Sequence, residues 1–477
     1  MKARLFAPAN RKWWTLAAVT FGLFMIMLDN TVVNVALPSM QDDLGISQAG
    51  LEWVVNAYAL TFGVLLLSGG KLADLLGRRW IFVVGLVIFT ASSLACGLAT
   101  GSAMLIAART VQGVGAALMN PATLSIITAT FPPRQRGMAI GIWAGISAMA
   151  LAIGPLVGGI LTQKINWSWI FFINVPIGVV GIVAAQLFID ESRDTSPEQR
   201  LDLPGLISSG VGLFALTYAL ISTNHHAWTS ALVLSMFAVG AVALAIFVLL
   251  ELRQRIPMLD MSLFRNATFA GANSVMLLTG VAMFGIFFFN SLMFQRVIGW
   301  SAIQTGAIFL PMTLLIMIVA PAAGKFSDRI GSRWLMATGM LLLTGSLLVF
   351  AQIEQGSNFW DVLPALILGG VGMALVMTPT TAAAMGSVPI AKAGVGSAVI
   401  NSMRQVGGSL GIAVMGAVVA TQVETHTPGP QFAEQFTRGY HDALYVGAGI
   451  TLGAAIVAAS LVRAVAHPHP AAEALGA

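Results

Sequence analysis

The sequence predicts an all-α integral membrane protein with fourteen membrane-crossing helices, and three observations carry that prediction. The chain of 477 residues is 57% hydrophobic and only 9% charged, whereas a soluble domain carries roughly 25% charged residues. Too little charge remains to cover a water-facing surface, so most of the chain meets lipid. Apolar runs near the roughly 20 residues needed to cross a bilayer recur fourteen times. Basic residues then sort by loop. With the N-terminus placed inside, the inner side receives 19 Lys and Arg and the outer side 3, the asymmetry that keeps basic loops cytoplasmic.

The runs follow in order along the chain. The first, near 14–37, lacks the short apolar core and cleavage site of a signal peptide, so it is expected to stay as a span. Runs near 50–70 and 80–100 flank a glycine-bounded basic loop. The fourth, 102–130, carries Arg109, and the fifth, 137–163, carries paired glycines and Pro155. The sixth, 168–189, ends at the charged stretch 190–205. Then come 204–222, 229–250, 268–294, 302–322, 333–353, 361–386, 394–420 and 442–463. Gly and Pro inside several runs are compatible with spanning, because neighbouring helices satisfy the freed backbone groups. Both termini are expected in the cytoplasm.

Composition also excludes several classes. The formal charge of +5 suggests nucleic acid at first sight. The basic residues nevertheless lie in short clusters between apolar runs, which is topology rather than a nucleic-acid footprint. Cys96 is the single cysteine, so no disulfide framework or thiolate metal site is available. The six histidines fall in loops or the tail without metal-ligand spacing. A membrane-embedded enzyme lacks an intramembrane Ser/His or paired-carboxylate constellation, and no ATPase domain is present. No cofactor and no metal are expected.

The chain also repeats itself. "GKLADLLGRRW" at 70–80 returns as "GKFSDRIGSRW" at 324–334, eight spans later. Parallel repeats of six-helix halves are a known transporter plan, and an offset of eight implies two extra helices between the halves. The expected division is therefore a six-helix bundle at 1–189, a junction with two inserted helices at 190–260, a second six-helix bundle at 261–463, and a tail at 464–477.

These residues resemble the major facilitator superfamily, specifically its fourteen-span drug:proton antiporters. "LDNTVVNVALP" at 28–38 is similar to that family's first-span motif, and "GGKLADLLGRRW" to the cytoplasmic loop motif. "RTVQGVGAAL" at 109–118 resembles the fourth-span motif, and "GPLVGG" at 154–159 the fifth-span exporter motif. "WSWIFFINVPIG" and "RQVGGSLG" add to the agreement, which covers nearly the whole chain. Ser168 departs from the pattern, since relatives commonly carry Arg between the two tryptophans.

Asp29 is the residue that most needs a reason. A carboxylate inside hydrocarbon costs a few kcal/mol even on lenient scales. Counting 1.5 Å per residue places Asp29 and Arg109 in the same outer half of the bundle. There they can sense one another directly or through Gln112, Asn30 or Asn34. Burial and a neighbouring guanidinium shift a carboxyl's proton affinity in opposite directions, so moving water or substrate between them changes protonation. The alternative is a fixed structural ion pair. Glu52, near the outer end of the second run, is either solvated or a second proton site.

For conformational change, the resemblance implies a latch that favours the outward-facing state, formed by Asp74 and Arg78 of the loop that turns at Gly70 and Gly77 with Arg136 of the next cytoplasmic loop, and with Asp328 in the repeated copy. It also implies a sealed seam between halves at Gly154, Pro155, Gly158 and Gly159, where missing side chains let backbones approach closely. Gly141 and Gly145 make a further small-residue pair on that span. Met25, Met27, Phe284, Phe287, Phe288, Met293 and Met312 are candidates for an adaptable pocket, against the plainer reading that they are core.

The function these features imply is export of lipophilic compounds (drugs, dyes, antibiotics) across the bacterial inner membrane by a proton-coupled antiporter. The energy source is the proton gradient, the partners are small lipophilic substrates, protons and membrane lipid, and the expected state is a monomer. A dedicated exporter of one endogenous metabolite or lipid is the alternative. With Asp29 as the one acidic residue deep in a span, monovalent or neutral substrates are expected over rigid dications.

Overall fold

The structure is a computed structural model that describes residues 8–193, 202–223, 226–255, 257, 259–388, 393–423 and 429–463. Some side chains inside helices, those of Arg136 and Asp328 among them, lie outside the described residues. The predicted loop charges at 194–201 and the tail at 464–477 also lie outside them.

Among the described residues the fold is helical throughout. The first group is α1 (Pro8–Leu44), α2 (Gln48–Leu76), α3 (Arg78–Gly97), α4 (Ser102–Thr130), α5 (Pro133–Lys164), α6 (Trp169–Phe172) and α7 (Asn174–Phe188). A pair follows, α8 (Leu203–Ser222) and α9 (Ala231–Arg253). The second group is α10 (Ala267–Leu292), α11 (Ala302–Ile308), α12 (Leu310–Ile330), α13 (Ser332–Phe350), α14 (Phe359–Gly386), α15 (Ala393–Ala420) and α16 (Pro430–Leu461).

Thirteen segments are long and apolar enough to cross a membrane, with α6 and α7 counted as one span and α11 and α12 as another. Helix α5, with 32 residues, has the length for a fourteenth. Two spans are broken where the sequence suggested continuous runs. Ile173 separates α6 from α7, and Phe309 separates α11 from α12, where Pro311 lacks the amide hydrogen that would continue the ladder. Several helices overrun their apolar cores, α1 most of all, because the polar residues flanking each run continue the helix into the interface.

Both repeated loops turn on a glycine with positive φ, Gly77 at 121° and Gly331 at 83°, which a side chain would strain. Each lies between two helices that pack antiparallel. At Gly77 the Glu191 carboxylate, arriving from the end of α7, accepts from the amides of Arg79 and Trp80 at 3.1 Å each. It thereby caps the open N-terminus of α3, and a Cβ on Gly77 would stand 2.7 Å from it.

Helices α1–α7 pack mainly on one another, as do α10–α16. The links between the groups are α2 with α15, α5 with α11 and α12, and α1 with α10 and α11. The pair α8–α9 lies against α2 and α15, with Trp53 packed on Phe214 and Tyr218. At the face where α1 begins and α16 ends, called the termini face below, the first group has its own core, including Leu16, Val19, Phe82 and Phe131. At the opposite, far face, one apolar core runs without a break from Val32, Val33 and Leu37 of α1 into Phe288 and Phe289 of α10.

Candidate functional site

Asp29, Arg109 and Gln112 come together in the far half of the first group, and none is more than 1% exposed. Helix α1 supplies Asp29. Helix α4 supplies Arg109 and Gln112, three residues apart and so on one face. Arg109 Nη1 donates to Asp29 Oδ2 at 2.5 Å and to Gln112 Oε1 at 2.8 Å. Gln112 Nε2 closes the ring by donating to Asp29 Oδ1 at 3.0 Å. Both carboxylate oxygens are therefore engaged.

Helix α2 completes the enclosure. Arg109 Nε donates to the backbone carbonyl of Val54 at 3.0 Å, and the guanidinium lies 4.2 Å from the centroid of the Tyr58 ring. Phe171 of α6 stands on another side at 5.8 Å, and Cys96 Sγ donates to Gln112 Oε1 at 3.7 Å. Two opposite charges removed from water are tolerable only when hydrogen bonds satisfy the remaining donors and acceptors. This ring of contacts supplies them. In this arrangement the Asp29 carboxyl has no exposed surface, and both of its oxygens are held by protein donors.

Asn30 and Asn34 stand outside this ring. Asn34 Nδ2 bonds back to the Asn30 carbonyl at 3.2 Å, and its own carbonyl accepts from Ser291 of α10 at 2.5 Å. Asn34 thus belongs to the contact between the two groups.

Glu52 requires a correction. It is fully buried rather than solvated, on the face of α2 toward α15, with its carboxyl against Gly416. A hydropathy run locates the end of a span but not which neighbour covers it, and here α15 covers the far end of α2. Asp29 is therefore not the one acidic side chain buried within the spans, and the charge argument against dications loses its premise.

The fifth-span motif divides in two. A Cβ on Gly154 would strike the Thr31 hydroxyl, and one on Gly158 would lie 2.7 Å from the Val32 carbonyl. Those two glycines therefore seat α5 on α1, inside the first group. Gly159 meets the Ala302 carbonyl of α11, while the Pro155 carbonyl fills the space beside Gly306. That close approach joins the two groups. The expectation of one seam between halves at all four positions is corrected to these two pairs. Gly145 has nothing within 4 Å, and Gly141 lies outside the described side chains.

At the termini face, Gly70 packs on Pro121, and Asp74 pairs with Arg78 at 2.9 Å inside its own loop. Ser327 and Ser332 share a 2.7 Å hydrogen bond across the repeated loop. Of the aromatic and Met candidates, Met25, Met27, Phe288, Met293 and Met312 are packed core, and Phe284 and Phe287 are partly buried.

Sequence reasoning missed the contacts that close the far face. Helix α10 ends in a π-helical turn, Met293–Val297. From it Gln295 Nε2 donates to the Val35 carbonyl at 2.9 Å, and Arg296 Nη2 to the Pro38 carbonyl at 2.7 Å and Asp42 at 2.6 Å. The Gln163 side chain accepts from the amide of Ile303 at 3.1 Å. The far end of the sixth span, beside Ser168, is tied by the Trp167 indole, which donates to Asp43 at 2.8 Å. A positive-inside count treats Arg296 as one of three outer cations, and nothing in the local pattern announces the π turn.

Comparison with known proteins agrees with this architecture. The chain is 34% identical to the tetracenomycin C resistance and export protein of Streptomyces glaucescens, over 92% of this chain and 83% of that one. It is 38% identical to the multidrug resistance protein Stp of Mycobacterium tuberculosis, over 85% and 75%. It is 34% identical to the puromycin resistance protein pur8 of Streptomyces alboniger, over 95% and 92%. Among solved structures, a bacterial homolog of the human lysosomal transporter Spinster, inward-facing and unoccupied, matches with a TM-score of 0.69 at 17% identity, over 95% and 97% of the two chains. That likeness is one of fold. The model of the Major Facilitator Superfamily matches residues 19–412, and the chain belongs to that superfamily as a membrane transporter rather than an enzyme.

Proposed function

We propose that this transporter is a proton-coupled antiporter that exports lipophilic compounds across the bacterial inner membrane by alternating access, with both termini cytoplasmic. The observation that carries the reading is the closed Asp29–Arg109–Gln112 ring. A titratable carboxyl deep in a span, held by a guanidinium and an amide, is a group whose proton can be taken or released only when the bundle opens. Intramembrane carboxylates of this kind mark ion and proton pathways. The names of the relatives, resistance and export proteins for antibiotics, support small lipophilic substrates.

The cycle proceeds as follows. In the arrangement described, the far face is closed by the shared core and the α10 turn. Opening it separates α1 and α5 from α10 and α11, lets water reach Asp29, and releases the substrate outward. A proton taken from outside neutralises the carboxyl, loosens its hold on Arg109, and is given up inside after the return. The group α1–α7 rocks against α10–α16, and the pair α8–α9 rides at their edge.

Export of a single endogenous compound is the second reading, favoured by relatives named for one antibiotic each. The test is dye and drug efflux in a bacterial strain lacking its own pumps. Efflux that stops when a protonophore collapses the gradient supports the proposal. Efflux that continues under the protonophore, or none with any of a broad panel, contradicts it.

A further inference from the structure

Helix α2 has two working faces. Val54 and Tyr58 face Arg109, as described above. The other face lies on α15, and two contacts fix its register. A Cβ on Gly63 would stand 3.1 Å from Gln405 Cβ, and Gly416 lies against the Glu52 carboxyl. Glu52 precedes Gly63 by the same eleven positions that separate Gln405 from Gly416. The helices therefore run antiparallel and in step between these contacts.

Two more polar residues, Asn56 and Ser409, join Gln405 on this seam. Asn56 lies four residues after Glu52 and seven before Gly63, on the same helix face. Ser409 lies four after Gln405 and seven before Gly416, likewise on one face. The register sets Asn56 opposite Ile412 and Ser409 opposite Ala59. Asn56, Gln405 and Ser409 are each no more than 1% exposed. Yet Asn56 Oδ1 and Nδ2, Gln405 Oε1 and Nε2, and Ser409 Oγ have no hydrogen-bond partner among the described residues.

Buried amides without partners are uncommon, and each one asks for a reason. Here they line a junction between two groups of helices that must part for transport, rather than the interior of either group. The seam runs from its Glu52 end, at the far face, to Gln405 near the middle of α15. Uncharged amides and a hydroxyl offer donors and acceptors together, which suits a neutral ligand carrying both.

We propose that Asn56, Gln405 and Ser409 form a hydrogen-bonding site for neutral substrates bearing hydroxyl or amide groups, exposed as the α2–α15 seam parts. The proposal rests on the export reading and adds the substrate class. A purely lipophilic cation has no use for these groups. Because α2 also holds Arg109 on its opposite face, occupation of the seam and release of the charged ring involve the same helix.

The test compares two probes in proteoliposomes of the full chain under an imposed proton gradient. Tetraphenylphosphonium is a lipophilic cation with no hydrogen-bonding group, and chloramphenicol is neutral with an amide and two hydroxyls. Asn56→Leu and Gln405→Leu keep side-chain volume and remove the polar atoms. Each is expected to lower chloramphenicol transport by roughly three- to tenfold, the range of a lost hydrogen bond, with tetraphenylphosphonium unchanged within twofold. Since the substitutions remove unsatisfied groups, the melting temperature of the purified protein is expected to hold or rise. Chloramphenicol transport unmoved by both variants overturns the proposal, as does wild-type transport confined to the cation. Equal loss of both probes together with a lowered melting temperature makes the amides structural and also overturns it. A wild-type protein that moves neither probe overturns this proposal, and the broad efflux panel then decides the export reading separately.

Discussion

The charge of Asp29 is matched by one guanidinium, so the consequences of removing it are set by what Arg109 is left with. Asp29→Asn leaves a buried cation with no counter-charge, whose acceptors are then neutral: the new amide oxygen, Gln112 and the Val54 carbonyl. Breaking one side of a buried pair costs about 3–5 kcal/mol. The single variant is therefore expected to lose both stability and transport. Combining it with Arg109→Gln removes both charges and keeps amides able to hydrogen-bond. The double variant is expected to recover most of the lost melting temperature while transport stays absent. A double variant that regains gradient-driven efflux would show that the pair is structural. Arg109→Lys keeps the charge but not the planar fork that reaches Val54, Asp29 and Gln112 at once. Efflux is expected to fall roughly tenfold or more, one charge-assisted hydrogen bond's worth, with membrane expression retained; normal kinetics across a pH series would argue that any cation serves. At this scale the sequence was informative about Asp29, Arg109 and Gln112, because a charge inside an apolar run stands out and helical spacing pairs it. It was silent on Tyr58 and misleading on Glu52, because which neighbouring helix covers a side chain is a property of the assembled bundle.

Closure of the far face depends on two devices, a π turn and a pair of glycine contacts. The turn at Met293–Val297 sets Gln295 and Arg296 against carbonyls of α1, and π turns interrupt helices frequently at functional positions. Arg296→Ala removes two hydrogen bonds from the closed state alone, so the open state gains population. With Cys96 as the single native cysteine and buried, a Val33→Cys reporter in the apolar core that α1 shares with α10 at the far face can be read by an impermeant thiol reagent. Labelling is expected to rise roughly tenfold in the Arg296→Ala background, the effect of about 1.4 kcal/mol on a two-state population; an unchanged rate would mean that the shared apolar core alone holds the face shut. Gly159→Leu would drive a side chain into the Ala302 carbonyl, and the same reporter is expected to label freely there too. The glycine motif was legible as close packing, but not which helix each glycine meets. One glycine in the motif faces α1 and its neighbour faces α11, a difference of a single step around the helix.

For the whole molecule, the repeated loops at Gly77 and Gly331 and the fourteen apolar runs made the architecture readable before any coordinates, since bilayer thickness and backbone satisfaction leave few choices. The breaks at Ile173 and Phe309 and the choice of closed face were not readable, because they arise from packing between groups far apart in the chain. Orientation is tested by reporter fusions at Thr195 and His426, two positions outside the described residues, which are expected to report cytoplasm and exterior respectively; the same side for both would contradict the fourteen-span arrangement. The central claim is that the enclosed Asp29 couples proton movement to export. Its most direct measurement follows proton flux and substrate together in proteoliposomes, with the wild-type protein beside the Asp29→Asn/Arg109→Gln double variant. Substrate is expected to drive a countermovement of protons through the wild type, and the folded double variant is expected to carry neither. Substrate-linked proton movement through the double variant would contradict it.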